Sequence, residues 1–223
     1  MKITAVLLAA GQGTRMKSDL PKVLHPLCGK PMLWHVLEAL KSATTEKPVV
    51  IVGHGAEKVK SYLGDTAECV LQEPQLGTGH AAMQAESVLR GKTDYVIVTY
   101  ADMPLLRGET FQRLVETQRL NLGPFSLLTV IADDPRGFGR IVRNANGTVE
   151  AIVEEYVATP AQREIKELNV GAYCFRADWL WEALQRIEKN PQKGEYYLTD
   201  VVEIAVKDNL PVQAVVHDDF IET

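Results

Sequence analysis

The sequence has few cysteines and lacks the long apolar runs that would place it in a membrane. Its three cysteines, Cys28, Cys69 and Cys174, are far apart and form no CxxC pair, so neither a disulfide framework nor a zinc site is indicated. No apolar run reaches the roughly 18 residues of a membrane-spanning helix, and the amino terminus lacks the charged region and cleavage site of a signal peptide. We therefore expect a soluble protein of the cytoplasm.

Basic segments are also absent from the sequence. Lysine and arginine form no block and the net charge is -5, which disfavours nucleic acid or an acidic membrane as a partner. A small anionic ligand remains compatible with this charge. With 223 residues, of which 46% are hydrophobic, the chain can bury a substantial core. Since no repeat, low-complexity tract or linker divides it, we expect one domain over residues 1–223.

One loop stands out: the segment 8–32, LAAGQGTRMKSDLPKVLHPLCGKPM, follows a short apolar strand over 3–8. Ligands of open α/β sheets bind at the carboxyl ends of strands, where this loop begins. Small residues and glycines leave its backbone accessible to phosphate oxygens or to a base edge. The residues that present this backbone are Leu8, Ala9, Ala10, Gly11 and Gly13. Arg15 and Lys22 add two cations, so the loop indicates a cradle for a nucleoside triphosphate.

Two familiar phosphate-binding patterns do not fit this loop. A dinucleotide fingerprint needs a third glycine at position 16, where the chain has Met16, and this residue disfavours a dehydrogenase. A Walker loop needs a Gly-Lys-Ser/Thr sequence, which is absent. The remaining alternative is a tight strand-to-helix turn in which Arg15 and Lys22 are ordinary surface residues.

The alternation of strand and helix patterns predicts an α/β fold with a doubly wound, mostly parallel, Rossmann-like sheet. We predict strands over 3–8, 48–54, 67–71 and 94–100, separated by helices over 31–43, after Gly55, and over 79–89. This part of the chain, about 1–123, is the expected nucleotide-binding half.

From Pro124 onward the pattern changes to extended segments. They cover 125–134, 139–144 and 148–155, and the Asn146-Gly147 turn joins the last two as a hairpin. Helices over 178–187 and 199–207 and a strand over 212–216 complete the domain. We expect this half, about 124–223, to lie over the carboxyl edge of the sheet as an inserted β-rich sugar-binding region.

The segment 11–22 resembles the signature G-x-G-T-R-M-x-S-x-L-P-K of sugar-phosphate nucleotidylyltransferases. Further motifs occur in the order that this family shows: QEPQLGTGHA (72–81), TYADMPLL (99–106), GFGRI (137–141), IVEE (152–155), ELNVG (167–171) and GEYYLTD (194–200). The resemblance covers essentially the whole chain. It is greatest to the uridylyltransferase domains of the bifunctional enzymes that make UDP-N-acetylglucosamine.

This resemblance implies a reaction and a cofactor. The reaction is Mg²⁺-dependent transfer of UMP from UTP to N-acetylglucosamine 1-phosphate, which gives UDP-N-acetylglucosamine for cell-wall synthesis and releases pyrophosphate. Because the sugar phosphate is already an anionic nucleophile, positioning and charge neutralisation must supply the rate. The alternatives are a nucleotidyltransferase for another nucleoside triphosphate or sugar phosphate, and a catalytically weak module that binds sugar nucleotides.

Three residues are the expected catalytic groups. By resemblance, Lys22 holds the phosphates that leave as pyrophosphate and Arg15 stabilises the charge that grows on the triphosphate. Asp102 follows a predicted strand and precedes a proline, so it is the candidate Mg²⁺ ligand, with an Asx turn as the alternative. One carboxylate suffices, since Mg²⁺ takes one or two of them together with substrate phosphates.

The resemblance also assigns binding residues. Gln72 pairs with uracil beside the loop backbone, and Gly77 and Thr78 close the other side. The residues expected to bind the sugar are Tyr100, Gly139, Glu154 and Asn169. From the residue pattern alone, Gln72 and Glu154 more often indicate solvated strand ends, and Asn169 fits a turn. His25 and His80 favour structural roles, and for Tyr196, Tyr197 and Asp200 packing and substrate contact remain open.

The chain departs from the family pattern at three places. Ala101 replaces a glycine, and Tyr156 and Val157 replace a lysine and an aspartate, which leaves the sugar acceptor open. The family's second metal ligand, an asparagine in a Gly-Val-Asn-like motif, is not among the 223 residues. The hexapeptide β-helix acetyltransferase domain is absent as well, so we expect no acetyl-CoA chemistry and a monomer or weak oligomer.

Overall fold

A computed structural model describes residues 1–135 and 137–223, with the backbone alone at Arg15. The described strands, in chain order, are β1 Ile3–Ala9, β2 Pro26–Leu27, β3 Lys30–Pro31, β4 Val49–Val52, β5 Glu68–Leu71, β6 Tyr95–Tyr100, β7 Phe125–Ile131, β8 Arg140–Arg143, β9 Val149–Val153, β10 Glu167–Arg176 and β11 Val212–His217. The described α-helices are α1 Met32–Leu40, α2 Ala56–Leu63, α3 Thr78–Gln84, α4 Glu86–Leu89, α5 Gly108–Leu120, α6 Pro160–Arg163, α7 Ala177–Leu184 and α8 Val201–Lys207. Short 3-10 helices cover Thr14–Met16, Lys22–Leu24, Gly64–Thr66, Leu198–Asp200 and Phe220–Glu222.

The central sheet has the strand order β11-β7-β10-β6-β1-β4-β5, and the β8–β9 hairpin joins it through β10. β1 pairs in parallel with both β4 and β6, and all its residues are buried. This double burial accounts for the continuous apolar sequence of β1, because both faces of a central parallel strand are covered. β10 runs antiparallel to β6 and β7, whereas β11 is parallel to β7. The beginning of β10 therefore lies at the same edge as the carboxyl ends of the parallel strands.

Helices cover both faces of the sheet and confirm the predicted doubly wound, mostly parallel α/β fold. On one face, α3, α7 and α8 bury apolar residues that include Ala81, Leu180 and Val201. On the other face, α1, α2 and α5 bury Leu33, Val59 and Phe111. The longest of these helices, α5, has 13 residues. Within the described part of the chain, no helix combines the length and the apolar character needed to cross a membrane.

The second half of the chain contributes more to the central sheet than we predicted. The expectation that 124–223 lies over the carboxyl edge is wrong for β7, β10 and β11, which are strands of the sheet itself. The β8–β9 hairpin does lie off the main strand order, and its predicted turn is confirmed by the hydrogen bond from Gly147 N to Asn144 O at 2.9 Å. A local pattern shows that a segment is extended, but its neighbours depend on pairing between distant residues, such as Tyr173 with Val98.

The helix limits also differ from the predictions. α1 ends at Leu40 instead of residue 43, and the predicted helix over 79–89 is divided into α3 and α4. The division falls at Ala85, whose N–H donates to Ala82 O in the tighter i to i−3 pattern. The predicted helix over 178–187 is α7, which ends at Leu184, and that over 199–207 starts as a 3-10 turn before α8. We did not predict α5, although its buried Phe111, Leu114, Val115 and Gln118 have helical spacing.

Candidate active site

A cavity of about 560 Å³ opens at the carboxyl end of β1. The end of this strand and the loop after it form one wall of the cavity, through Leu8, Ala9, Ala10, Gly11, Gln12, Gly13 and Thr14. At Gly13 the backbone has a φ of 59°, and a Cβ there would lie 2.9 Å from Lys22 Cβ. Glycine is therefore required both for the loop conformation and for its close approach to Lys22. The loop presents mainly backbone and small side chains to the cavity.

Lys22 and Asp102 form an ion pair at this cavity. Lys22 begins a 3-10 helix, and Asp102 comes two residues after the end of β6 at the carboxyl edge of the sheet. The distance from Lys22 Nζ to Asp102 Oδ2 is 2.5 Å, and the side chains are 34% and 28% exposed. A pair this exposed contributes at most about 1 kcal/mol to stability. The ion pair can therefore open at a small cost in free energy, which frees both side chains to bind ligands.

A second cavity, of about 610 Å³, lies beside the first and shares Lys22, Tyr100 and Asp102 with it. The other predicted sugar-binding residues, Gly139, Glu154 and Asn169, line this second cavity. Apolar residues, Met32, Met103 and Phe138 among them, complete its wall. Lys22, Tyr100 and Asp102 thus lie where a ligand in one cavity would meet a ligand in the other.

Gln72 directly follows β5, and it is 4% exposed, so the alternative of a solvated strand end is wrong. Its Nε2 donates to Gly77 O at 2.9 Å and lies 3.1 Å from His80 Nδ1. Gln72, Gln75, Gly77 and Thr78 line the first cavity opposite the loop after β1. Gln72 therefore sits buried in the cavity wall, with its amide nitrogen engaged by the protein.

The GEYYLTD segment is attached to the residues around Gly77 by backbone hydrogen bonds. Tyr196 N donates to Leu76 O and Tyr196 O accepts from Gly79 N, both at 2.8 Å. Leu198 N donates to Thr78 Oγ1 at 3.0 Å. Glu195 and Tyr197, on either side of Tyr196, line the first cavity. Tyr196 therefore has a packing role in fixing the wall, and Glu195 and Tyr197 lie where a ligand in the cavity could contact them.

Tyr100 ends β6 and lies between the two cavities. Burial, reinforced by the charges of Glu154 and Asp102, holds the pKa of Tyr100 well above its ordinary value, so its hydroxyl stays protonated. The hydroxyl is hydrogen-bonded to the side chain of Thr78. Gly171 lies against the ring: a Cβ there would be 2.3 Å from Tyr100 Cε2. The register shift of β10 between Asn169 and Tyr173 accompanies this close contact.

Replacing Gly171 by alanine is expected to destabilise the protein and to displace Tyr100. The backbone φ of 87° disfavours alanine, and the added methyl group overlaps the ring. We expect a loss of about 2–4 kcal/mol in the free energy of unfolding, measured by urea denaturation. Gly147→Ala is the matched control, because φ there is 80° but no described atom lies within 4 Å of the Cβ position. Equal losses in the two variants would contradict the ring contact.

Glu154 and Asn169 are held by hydrogen bonds at the second cavity. Glu154 Oε1 accepts from Thr199 Oγ1 at 3.0 Å, and burial raises the pKa of Glu154 while this bond partly lowers it. Asn169 Nδ2 donates to the Tyr173 hydroxyl at 2.7 Å, and Asn169 N donates to Gly139 O at 2.8 Å. Asn169 lies within β10 and is buried, so the turn alternative is wrong; the solvated-edge alternative is wrong for Glu154.

An ion pair that we did not predict joins a buried arginine to a partly exposed glutamate beside this cavity. Arg140 is 1% exposed, and its Nη2 lies 2.5 Å from Glu155 Oε2. Arg140 Nη1 also donates to the carbonyl oxygen of Phe138. The pair joins the start of β8, next to Gly139, to the residue after Glu154. It therefore fixes the two ends of the hairpin that carry cavity residues. Arginines stand at both ends of β8, so the sequence of the strand did not distinguish the buried Arg140 from Arg143.

Asp200 provides a pH-dependent test of the packing around Glu154. Burial, together with the nearby charges of Glu203 and Glu154, raises the pKa of Asp200 to about 6. Because the folded protein holds this proton more tightly than the unfolded chain, stability falls as the pH rises from about 4 to about 6. Asp200→Asn should therefore raise the free energy of unfolding at pH 8 by about 1 kcal/mol after solvent screening, with little change at pH 4.

The control for this measurement is Asp208→Asn. The hydrogen-bonded Arg186 lowers the pKa of Asp208, so this variant should lose stability at pH 8, the opposite sign. Guanidinium denaturation at the two pH values measures both effects. A gain for Asp200→Asn of the same size at pH 4 and pH 8 would show that charge is not its cause.

The Arg15 side chain, an expected catalytic group, lies outside the described residues. His25 Nε2 lies 3.2 Å from Leu20 O, within the loop before α1. In the described part of the chain, no group of three or more His, Cys, Asp or Glu side chains could hold a metal ion. Asp102 is thus a single carboxylate between two cavities, which fits an ion that also binds substrate phosphates.

A bare loop at the carboxyl edge of the sheet thus borders one cavity, which meets a second cavity at Lys22, Tyr100 and Asp102. A solved UDP-glucose pyrophosphorylase complexed with UDP-glucose shares the fold of this protein, with a TM-score of 0.77 and 16% identity over 98% of this chain and 91% of that chain. The chain belongs to the family of MobA-like NTP transferase domains, which matches residues 5–142.

Curated relatives match the whole of the chain. The bifunctional protein GlmU of Geobacillus thermodenitrificans is 50% identical over 223 residues, which are 100% of this chain and 49% of the relative. The bifunctional protein GlmU of Enterococcus faecalis is 46% identical over 218 residues, 98% of this chain and 48% of that protein. The chain thus spans about half the length of the curated relatives it matches.

Proposed function

We propose that this protein transfers UMP from UTP to N-acetylglucosamine 1-phosphate in the presence of Mg²⁺, releasing pyrophosphate. The observation that carries the proposal is the meeting of two cavities at Lys22, Tyr100 and Asp102. One cavity offers a bare loop to a nucleotide, and the other offers polar side chains to a sugar. The similarity to GlmU proteins over the whole chain supports the same assignment.

The first cavity suits a uridine nucleotide. The loop after β1 contributes accessible backbone through Gly11 and Gly13, which suits phosphate oxygens and the edge of a base. Gln72 is buried in the facing wall, where an amide can pair with the imide edge of uracil. Lys22, which lines both cavities, supplies a compact positive charge for the phosphates that leave.

The second cavity suits a sugar with hydroxyl and acetamide groups. Glu154 offers a carboxylate to hydroxyls, and Asn169 offers an amide beside Gly139. The apolar side chains of Met103 and Phe138 provide contact for the carbon face of the ring and the acetyl methyl group. Tyr100, whose hydroxyl stays protonated, separates this sugar from the nucleotide.

In the proposed reaction, an oxygen of the sugar phosphate attacks the α-phosphorus of UTP. The new oxygen–phosphorus bond forms as the bond to the β-phosphate breaks, and the electron pair leaves with pyrophosphate. Asp102 would hold Mg²⁺, which supplies positive charge to the phosphates when bound. Lys22 neutralises the leaving pyrophosphate, and the cavity walls keep the two substrates aligned. The chain need not supply a base, because the attacking phosphate is already anionic.

The test is a panel of substrates with Mg²⁺. Pyrophosphate release is measured with UTP, CTP, dTTP and GTP, each paired with N-acetylglucosamine 1-phosphate or glucose 1-phosphate. We expect UTP with N-acetylglucosamine 1-phosphate to give the highest kcat/KM, by about tenfold or more over every other pair. A faster reaction with another triphosphate would contradict uridylyl transfer, and a faster reaction with glucose 1-phosphate would contradict the acceptor. Binding of UDP-N-acetylglucosamine without turnover would indicate a binding module instead.

We also propose that the protein acts in the cytoplasm, where its substrates are present, as a monomer or weak oligomer. Cys174 is buried and Cys69 partly buried, and both are unpaired thiols, which suits a reducing compartment. Sedimentation at several protein concentrations measures the assembly state. A stable trimer of this chain would contradict the proposed state.

A further inference from the structure

Gln72 is held in one orientation by its neighbours. Its side-chain Nε2 donates to Gly77 O at 2.9 Å and lies 3.1 Å from His80 Nδ1. An amide nitrogen carries two hydrogens, and these two partners use both of them when His80 Nδ1 accepts. Among the hydrogen bonds of the described residues, none uses Gln72 Oε1 as its acceptor. The carbonyl end of the amide is therefore available to a ligand in the first cavity, which Gln72 lines.

His80 has the surroundings that this contact requires. It lies in α3, and burial lowers the pKa of its ring, while a hydrogen bond to the Pro74 backbone offsets part of that effect. A neutral imidazole has one acceptor nitrogen, and the shorter of its two amide contacts, that of Nδ1 with Gln72, favours the tautomer in which Nδ1 accepts. Gln84 Nε2 donates to His80 O at 2.9 Å and lies 3.2 Å from the other ring nitrogen, a longer contact than the 3.1 Å between Gln72 Nε2 and His80 Nδ1.

The orientation of the Gln72 amide decides which pyrimidine it favours. Uracil has an N3–H donor between two carbonyl groups, whereas cytosine has an acceptor at N3 and an amino group beside it. An amide that presents Oε1 accepts from N3–H of uracil and repels N3 of cytosine. The reversed amide would present Nε2 to the base and would favour cytosine, but it would place Oε1 against the Gly77 carbonyl and His80 Nδ1.

We propose that His80 is a positioning residue for base selection: its acceptor Nδ1 holds the Gln72 amide with Oε1 toward the nucleotide cavity, and uracil is thereby favoured over cytosine. This inference rests on the proposed uridylyl transfer. His80 does not line the first cavity and would act on the nucleotide through Gln72. The residue pattern alone favoured a structural role for His80. The Tyr196 ring lies beside the imidazole, with the ring centroids 6.3 Å apart and the planes tilted by 31°, which helps to keep His80 next to Gln72.

The test compares His80→Ala with His80→Asn. Alanine removes the acceptor, whereas the Oδ1 of asparagine can stand near the position of Nδ1 and restores it. We measure kcat/KM for UTP and for CTP, and calorimetric binding of each nucleotide without the sugar phosphate. The UTP to CTP ratio should fall about tenfold in His80→Ala and stay within about threefold of the original in His80→Asn. KM for the sugar phosphate should not change.

Gln84→Met is the matched control. It removes an amide from the same helix and from the other side of the same ring, but it does not touch Gln72. A general defect of α3 would lower the rates with UTP and CTP together, in the control as in His80→Ala, and would leave their ratio unchanged. An unchanged ratio in His80→Ala, or an equal fall in Gln84→Met, would overturn the inference.

The two proposals fail in different ways. If the unaltered protein uses UTP no better than CTP, the proposed uridylyl transfer is wrong, whatever the variants do. If the unaltered protein prefers UTP and His80→Ala keeps that preference, uridylyl transfer stands and the role of His80 is wrong.

Discussion

Asp102→Asn is expected to lower the rate of pyrophosphate release from UTP and N-acetylglucosamine 1-phosphate by about 100- to 1,000-fold. The substitution keeps the size of the side chain but removes the negative charge that lies between the two cavities. In the proposed mechanism this charge holds Mg²⁺ against the substrate phosphates. The rate is measured at saturating substrates over a range of Mg²⁺ concentrations, and the variant should need more Mg²⁺ for half of its remaining activity.

The matched control for this substitution is Asp133→Asn. Asp133 is 91% exposed and pairs with Lys166 on the surface, so its loss should leave turnover unchanged. The folded fraction of each variant is checked by thermal unfolding. If Asp102→Asn keeps more than about a tenth of the original rate, Asp102 does not hold an essential metal ion and the assignment is wrong.

Lys22→Met is expected to lower kcat/KM for UTP by about 100-fold, because it removes the cation beside the phosphates that leave. Methionine keeps much of the apolar stem that packs near Gly13, so the fold should tolerate it. Lys22→Arg should recover only part of the activity, since the planar guanidinium cannot reproduce the geometry of a compact ammonium. Steady-state kinetics with varied UTP measures the effect.

Lys41→Met is the control, because Lys41 pairs with Glu38 on the exposed face of α1. A change of less than about threefold in Lys22→Met would contradict its role. Since Lys22 and Asp102 contact each other, the double variant should lose less than the product of the two single effects. Multiplicative losses would show that the two residues act separately on the reaction.

The first half of the site could be predicted from the sequence because its residues are close together along the chain. A buried strand followed by small residues predicts the loop after β1. Because ligands of open α/β sheets bind at the carboxyl ends of strands, this loop and Asp102, which follows β6, are both expected at the site. β1 and β6 are neighbours in the sheet, so the two local features lie side by side.

The second half could not be predicted in the same way. Asn169 reaches the site because β10 enters the sheet antiparallel, and Glu154 because the hairpin pairs through Leu168 with Arg140. These pairings join distant residues, and local patterns do not contain them. The acidic pair Glu154-Glu155 looked like a solvated edge, but a buried arginine engages Glu155 and Thr199 engages Glu154. The resemblance named Glu154 and Asn169, whereas physical reasoning from the residues alone did not.

The most direct test of the proposed reaction is phosphorus NMR of the protein with UTP, N-acetylglucosamine 1-phosphate and Mg²⁺. The account predicts that the UTP signals are replaced by those of UDP-N-acetylglucosamine and pyrophosphate in equal amounts, because the bond between the α- and β-phosphates breaks. Formation of UDP and inorganic phosphate would show that a different bond is broken. That result, or unchanged spectra from correctly folded protein, would contradict nucleotidyl transfer by this chain.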